Sequence, residues 1–507
     1  DVYKRQTYVK APGESDDEVG DRANDALRIE AGELAVKVIG EGANLGVTQN
    51  ARVAFARAGG RVNNDAVDNS AGVNSSDLEV NIKIALSAAM RANRLSLPNR
   101  NKLLVNMTDE VATLALRNNY LQTLAISLVE RRSARATGDL SRLMNRLEDD
   151  GHLDRAVETL PDNQTLSERV AAGKPLTRAE IGVLLSYAKI VLFDDLATSA
   201  LLDDPYFETD LFGYFPERMH KAHGKDIKEH RLRREIIGTV LANDAINRGG
   251  PSYISRLVDA TGMLPSAIVK TYVMARDGLG LPALYDAVDK LDNKVPGDIQ
   301  NELYAGIGHV IRSVSRWGLK TGVNALPLGP TVKSLQAAVT TLETTLPSLI
   351  PAFMQSEAEH WYRRSVDNGV PKKLATRLAH LPSLALIPEI MQIADAAGAD
   401  LKKTAKTFFD VTEMFRISRM DAAAQQATVS DHYEVLAIAR SLDEINAARR
   451  QICRTALKQF ARDGDPAKAW HDADDVRIDR GQYRISELID GGEITIPRLT
   501  VAAGMLG

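Results

Sequence analysis

Residues 36–79 read VKVIGEGANLGVTQNARVAFARAGGRVNNDAVDNSAGVNSSDLE. The stretch opens on the β-branched run Val36-Lys37-Val38-Ile39 and stops at Gly40. Gly, Asn, Ser and Asp then gather at residues 40–46 and again at 63–76. Between the clusters, Ala51, Ala54, Phe55 and Ala58 fall at helical spacing, and Arg61-Val62-Asn63 forms a second extended piece after Gly59-Gly60. The order is strand, polar loop, helix, strand, polar loop. In an open parallel sheet such loops lie at the carboxyl ends of strands, where ligands bind. This predicts the end of a Rossmann-like α/β domain.

Outward from this block the texture changes. Leu78, Ile82, Ala85 and Ala89 mark one helical face, and Val111, Leu114, Leu121, Leu124 and Leu128 another, with Thr108 or Asp109 as its cap. Thr177-Arg178-Ala179-Glu180 is a capping box that starts a helix with Ile181, Leu184, Leu185, Ala188 and Leu192 on one side. Helical patterns continue over 231–247, 265–276, 300–317, 332–346, 374–381, 401–419 and 432–460, while the tail from Val476 is polar and short-range. The expected fold is therefore α/β, the end of a parallel-sheet domain, followed by a large mostly α-helical region. Its expected divisions are 7–95, 96–320 and 321–507, the last boundary falling in the Pro/Gly-containing spacer 318–330. Residues 1–6 join abruptly to Thr7-Tyr8-Val9-Lys10 and are expected to be a non-native scar, with more of the gene product upstream.

Bulk properties narrow the function. The 507 residues are 44% hydrophobic and 26% charged, ordinary for a soluble globular protein. A net charge of −4 gives no electrostatic reason to expect nucleic acid or an acidic membrane as partner. No apolar run reaches the roughly 18 residues of a membrane span. The single cysteine, Cys453, excludes an internal disulfide framework, suits a reducing cytoplasm, and sits in a helical apolar pattern as a core residue.

Two clusters invite chemistry. The loop Gly40-Glu41-Gly42-Ala43-Asn44-Leu45-Gly46 follows a strand as a pyrophosphate-binding loop does, and Asp65 lies where a ribose-binding acid is expected. Three residues separate Gly42 from Gly46, however, where the dinucleotide fingerprint has two. The plain alternative is a turn-rich loop needing positive φ. The cluster 63–72 lacks the alternating acids, the central Gly and the closing Glu of a calcium loop, so no metal is expected. Its amides and hydroxyls suit turn capping or hydrogen bonding to a carboxamide or ribose. His220, His223 and His230 lack a third ligand of fitting spacing and, among Lys221, Lys225 and Lys228, read as a solvated helical surface. The basic run His230-Arg231-Leu232-Arg233-Arg234 reads as a salt-bridged helix face or a subunit contact.

Taken together, Glu41-Gly42-Ala43-Asn44, Thr48, Asp65, Asn69-Ser70-Ala71-Gly72-Val73, Ser76 and Glu79 resemble the closing motifs of the glutamate dehydrogenase superfamily. The fuller VIGEGANLGVTQ and DNSAGV are similar to the large NAD-specific bacterial glutamate dehydrogenases, and the likeness extends from about Thr7 to Gly318. The resemblance implies NAD as cofactor, L-glutamate and 2-oxoglutarate as substrate and product, a cytoplasmic location and a homo-oligomer, with a tetramer expected. It implies that the loop with Gly42, Ala43 and Asn44, together with Asn69, lines the nicotinamide and its ribose, and that Ser76 contacts the substrate side-chain carboxylate. Ser70-Ala71 departs from the Ala-Gly of the smaller enzymes. In the family the catalytic lysine, the proton-transfer acid and the GxGxxG-type loop come from earlier sequence, so no catalytic residue is assigned in this chain, which is expected to be inactive alone. Two other readings stay open: a helical oligomerisation or regulatory module, and a dehydrogenase for another amino acid.

Overall fold

The computed structural model describes residues 6–42, 45–427, 429, 432–492 and 494–506. They are mostly α-helical. The sheet consists of two parallel strands, β1 (Val9–Lys10) and β2 (Ile29–Glu30), with isolated parallel bridges Val9–Val47 and Val38–Arg61. The expected Rossmann-like parallel-sheet domain is thus corrected: among the described residues there are two two-residue strands and no such sheet. The run Val36–Ile39 explains the difference. Val36 and Val38 are 52% and 65% exposed, and only Ile39 of its apolar positions packs against the small core. A strand needs neighbours and a buried face to be stable, and β propensity supplies neither.

The chain divides into two compact units, one ending at Tyr272 and one beginning at Val273. In the first, Thr48 caps the Gln49–Arg57 helix, its hydroxyl accepting from the Ala51 N–H at 3.0 Å. Ala51 and Phe55 of that helix join Val9, Ala31, Val47 and Val62 in a small core. Ala58, expected on the same face, is exposed because the helix has already ended. Gly60 must stay glycine, since a Cβ there would lie 2.2 Å from the Phe55 ring.

The Ser70–Arg91 helix buries the stripe Leu78, Ile82, Ala85 and Ala89. Beside it runs the 42-residue Thr108–Asp149 helix, which begins from Met107 rather than from a Thr108 or Asp109 cap. The Thr177–Glu180 capping box forms with both of its reciprocal bonds. The helix it starts, Arg178–Ala197, buries Ile181, Leu184, Leu185, Ala188 and Leu192.

The second unit is also helical, with Gly297–Lys320, Leu328–Leu342, Ile387–Ala397, Leu401–Met414 and His432–Gln459 among its longer elements. The pattern expected over 401–419 breaks at Arg416, whose φ of 55° is left-handed. The tail carries two further helices, Asp475–Asp490 and Ile496–Leu506, which bury Ile478, Ile485, Leu499 and Ala502, so it is not merely a polar tail. Within this core Arg449 pairs with Glu389 at 2.8 Å and lies over the Phe408 ring at 4.1 Å. No described helix is long and apolar enough to cross a membrane.

Cys453 is fully buried in the same core, and burial pushes its thiol up to about 12. The thiolate is the reactive form, so the native protein should not react with an aromatic disulfide reagent at pH 8, whereas one thiol should titrate at once in denaturant. Rapid modification of the native protein contradicts this placement.

Candidate functional site

The two polar clusters meet around one arginine. Arg52 lies in the Gln49–Arg57 helix with a side chain only 1% exposed. Its Nε donates to the Val47 carbonyl at 3.3 Å and its Nη1 to the Asn63 carbonyl at 2.8 Å. Its Nη2 pairs with the Glu41 carboxylate, and Asp68 stands 3.8 Å from Nη1. One guanidinium therefore ties the 40–46 loop, the chain after Gly60 and the short Asp65–Asp68 helix together.

The loop is fixed at both ends. Glu41 accepts from the Gly46 N–H at 2.7 Å, and its own N–H donates to Asp68 at 3.2 Å. A Cβ on Gly46 would stand 3.0 Å from the Glu41 carboxylate, so a side chain there would press on the Glu41–Gly46 bond. Thr7 donates to the Leu45 carbonyl at 2.7 Å, and the Tyr8 and Val9 N–H groups donate to the Gly46 carbonyl. Among the described residues of the loop, Leu45 is left-handed, with φ of 64°, and the loop glycines are not. Such a backbone is strained for a branched side chain and persists where neighbours over-determine it.

The predicted site residues fall as follows. Gly42 is exposed and follows Glu41, while Asp68, which accepts the Glu41 N–H, precedes Asn69. The structure therefore links the residue before Gly42 to the residue before Asn69. Ala43 and Asn44 lie outside the described residues. Asn69 stands between the Asp65–Asp68 and Ser70–Arg91 helices, and its side chain makes no capping bond to the latter. Instead its Oδ1 occupies the space beside Gly72, where a Cβ would lie only 2.6 Å away. Ser76 is exposed, seven residues further along the same helix, or about 10 Å at the usual helical rise. Asp65 turns inward on its own chain, accepting from the Ala66 N–H at 2.9 Å.

Several residues of this site carried no signal of their own in the sequence. Asn119 donates to the Val67 carbonyl at 2.8 Å and to the Ser70 hydroxyl at 2.9 Å, and Asn118 to Asn74 at 2.9 Å, pinning the start of the Ser70–Arg91 helix to the long helix. Tyr214 donates to Asp77 at 3.0 Å and accepts from Asn81 at 2.8 Å, which fixes the turn beside Ser76. Burial, with Asp77 alongside, pushes the Tyr214 phenol up. A charged residue inside an apolar helix face, as Arg52 is, was the one available clue.

The histidine reading is corrected. His223 and His230 are 6% and 5% exposed, so they are core groups and not a solvated surface. His223 meets Asp226 at 3.3 Å, and Arg94 grips the same carboxylate at 2.6 and 2.9 Å. Burial opposes the charge, but Arg94 and His223 hold Asp226 below the usual carboxylate range. The basic run is no continuous helix face either: one helix ends at Lys228, the next begins at Arg233, and Arg234 pairs with Asp203. Among the described residues no group of three or more acids, His or Cys is placed to hold a metal ion.

The comparisons with known proteins fit this geometry. The profile "Bacterial NAD-glutamate dehydrogenase, catalytic domain" matches residues 5–129, which include the whole Arg52 cluster, and "Glutamate dehydrogenase, C-terminal" matches residues 173–507. The chain belongs to the bacterial NAD-glutamate dehydrogenase family. It is 38% identical over 452 residues to the NAD-specific glutamate dehydrogenase of Pseudomonas aeruginosa, covering 89% of this chain and 28% of that protein. Its identity to the NAD-specific glutamate dehydrogenases of Halomonas elongata and Mycobacterium tuberculosis is 35% and 31%, each over 98% of this chain and 31% of the relative. The chain thus spans under a third of the length of the relatives it matches.

Two predictions follow from the packing here. Arg52→Ala strands the Glu41 and Asp68 carboxylates, each about 10% exposed. Removing one partner of a buried pair costs about 3–5 kcal/mol, and a urea titration should read a loss of that order; a change below about 0.5 kcal/mol contradicts the role.

The second concerns His230, whose Nδ1 accepts from the Leu232 N–H at 3.1 Å, leaving Nε2–H to donate to the Asn81 carbonyl at 3.1 Å. Protonation would set N–H against N–H. Burial lowers its pKa, Arg231 adding to the effect while the Asn81 carbonyl and Glu235 oppose it. The unfolded state therefore takes up the proton first, and the contribution is whole above about pH 6.5 and lost as pH falls below it. Thermal melts from pH 8 to 5 should show a steeper acid loss for wild type than for His230→Gln; parallel curves would rule this out.

Proposed function

We propose that this chain contributes the nicotinamide-side cofactor loop and a substrate contact to an NAD-dependent glutamate dehydrogenase. The overall reaction is L-glutamate, NAD⁺ and water to 2-oxoglutarate, ammonium, NADH and a proton. Bound NAD supplies the acceptor for the hydride leaving the substrate α-carbon. Gly42, Ala43 and Asn44 form the loop against the nicotinamide, and Asn69 pairs its carboxamide with the cofactor's carboxamide or ribose, offering both a donor and an acceptor. Ser76 donates its hydroxyl to the side-chain carboxylate of glutamate.

The observation that carries this reading is the closure of the 40–46 loop onto the residue before Asn69, through the Glu41–Asp68 bond, inside the stretch that matches the catalytic-domain family. Two features of the residues support NAD there. The Asn69 amide is not spent on capping its own helix, and Gly72 leaves it room. The Glu41 N–H, flanked by Gly40 and Gly42, donates to Asp68 at 3.2 Å. Ser76 is exposed two turns further on, free of the core stripe on the opposite face.

The test uses the full native protein. Ser76→Ala should lower kcat/KM for glutamate about ten- to a hundredfold, the loss of one charge-assisted hydrogen bond of about 1.5–3 kcal/mol, with little change in KM for NAD. Asn69→Ala should do the reverse, raising KM for NAD. Wild type that reduces NAD with a different amino acid and ignores glutamate would overturn the substrate. Variants indistinguishable from wild type would overturn the residue roles.

A further inference from the structure

The cofactor loop does not end its hydrogen bonds within the catalytic-domain stretch. Asn63 is the relay. Its Nδ2 donates to Asp68 Oδ1 at 3.0 Å, and Asp68 Oδ2 accepts the Glu41 N–H at 3.2 Å, one residue from Gly42. The other end of the same amide, Oδ1, accepts from Nε of Arg178 at 3.1 Å. Arg178 lies in the 173–507 stretch that matches the family's C-terminal region, more than a hundred positions along the chain.

Arg178 is built into place. It is the first residue of the Arg178–Ala197 helix, whose capping box locks Thr177 to Glu180, and buried Glu180 accepts from Arg169 at 2.7 and 2.8 Å. The Arg178 side chain is 14% exposed. Its Nη1 donates to the Ser127 hydroxyl and to Glu130, both at 2.9 Å, and its Nη2 reaches the Thr123 carbonyl at 3.4 Å. A guanidinium only donates, so Asn63 must present its carbonyl oxygen to Arg178 and its NH₂ to Asp68. Reversing the amide would face donors to donors on one side and acceptor to carboxylate on the other. Arg178 thereby fixes which way Asn63 points, and through Asp68 the height of the Glu41–Gly42 backbone.

We propose that Arg178 is a positioning residue by which the helical C-terminal region completes the cofactor-binding loop and sets its affinity for NAD. The inference rests on the reading of that loop as the nicotinamide-side loop. It gives the helical region a part in cofactor binding, exercised through Asn63 and Asp68.

The experiment is a double-mutant cycle on NADH affinity, read by NADH fluorescence, in the full native protein. Arg178→Ala should weaken NADH binding about three- to thirtyfold, within the roughly two- to 150-fold span of coupled neighbours, while leaving KM for glutamate near wild type. Arg178→Lys should recover little, because one ammonium cannot reach the four separated acceptors that the guanidinium fork serves. Asn63→Ala should weaken NADH binding to a similar degree, and the double variant no further than Asn63→Ala alone. Additive losses, an unchanged NADH Kd, or KM values for NAD and glutamate that rise together as the melting temperature falls would reduce Arg178 to a structural clamp and overturn the proposal. Absence of NADH binding by wild type would instead overturn the reading of the loop, and the proposal with it.

Discussion

A guanidinium buried to the last percent has to be answered on every side, and Arg52 is answered by four residues, Glu41, Val47, Asn63 and Asp68. Taking that charge out of water costs several kcal/mol, recovered only when the geometry is good and the remaining donors are filled. The requirement fixes far more than one helix. Glu41 has to return towards Val47, the backbone at Asn63 has to turn its carbonyl inward, and Asp68 has to end a short helix within reach. With two-residue strands as the only sheet among the described residues, these polar bonds and the small Val9–Phe55–Val62 core give the segment its shape. The same carboxylates that neutralise Arg52 also hold the loop backbone, Glu41 at the Gly46 N–H and Asp68 at the Glu41 N–H.

Around this centre the helices act as a frame. The Thr108–Asp149 helix presents Asn118 and Asn119 to the start of the Ser70–Arg91 helix, and Tyr214 fixes the turn that carries Asp77 beside Ser76. Each contact is a side-chain amide or hydroxyl with one satisfactory orientation, so the register of the site helix is defined by direction as well as by apolar burial. Asn69 immediately precedes the helix that carries Ser76, and a rigid element is a more precise support than a loop. Gly72 adds the complementary constraint, an absence of side chain that lets Asn69 lie across its own helix.

Much of the helical architecture was legible in the residues. The capping box at Thr177, the stripe Leu78–Ile82–Ala85–Ala89 and the buried Cys453 all follow from local pattern, since period and cap chemistry act over three or four residues. What was misread depends on partners distant in sequence. Val36–Ile39 has the composition of a strand, yet a strand is defined by neighbours that the pattern does not contain. His230 looks like part of a basic helix face, but its ring is drawn inward by the Asn81 carbonyl 149 positions away. Arg52 and Arg178 showed only as charges of ordinary kind, their partners lying in other elements. The motif residues Gly42, Asn69 and Ser76 were found by resemblance, while the groups that orient them emerge only once the fold has assembled the amides and carboxylates of the 63–68 turn.

The most direct measurement is a structure of the full native protein with NADH bound, at a resolution that shows the nicotinamide amide. The account predicts that this carboxamide or its ribose lies within hydrogen-bond distance of Asn69 and against the 42–44 backbone, with the Glu41–Asp68–Asn63–Arg178 chain intact. A nicotinamide bound elsewhere, with Asn69 facing solvent, would contradict it.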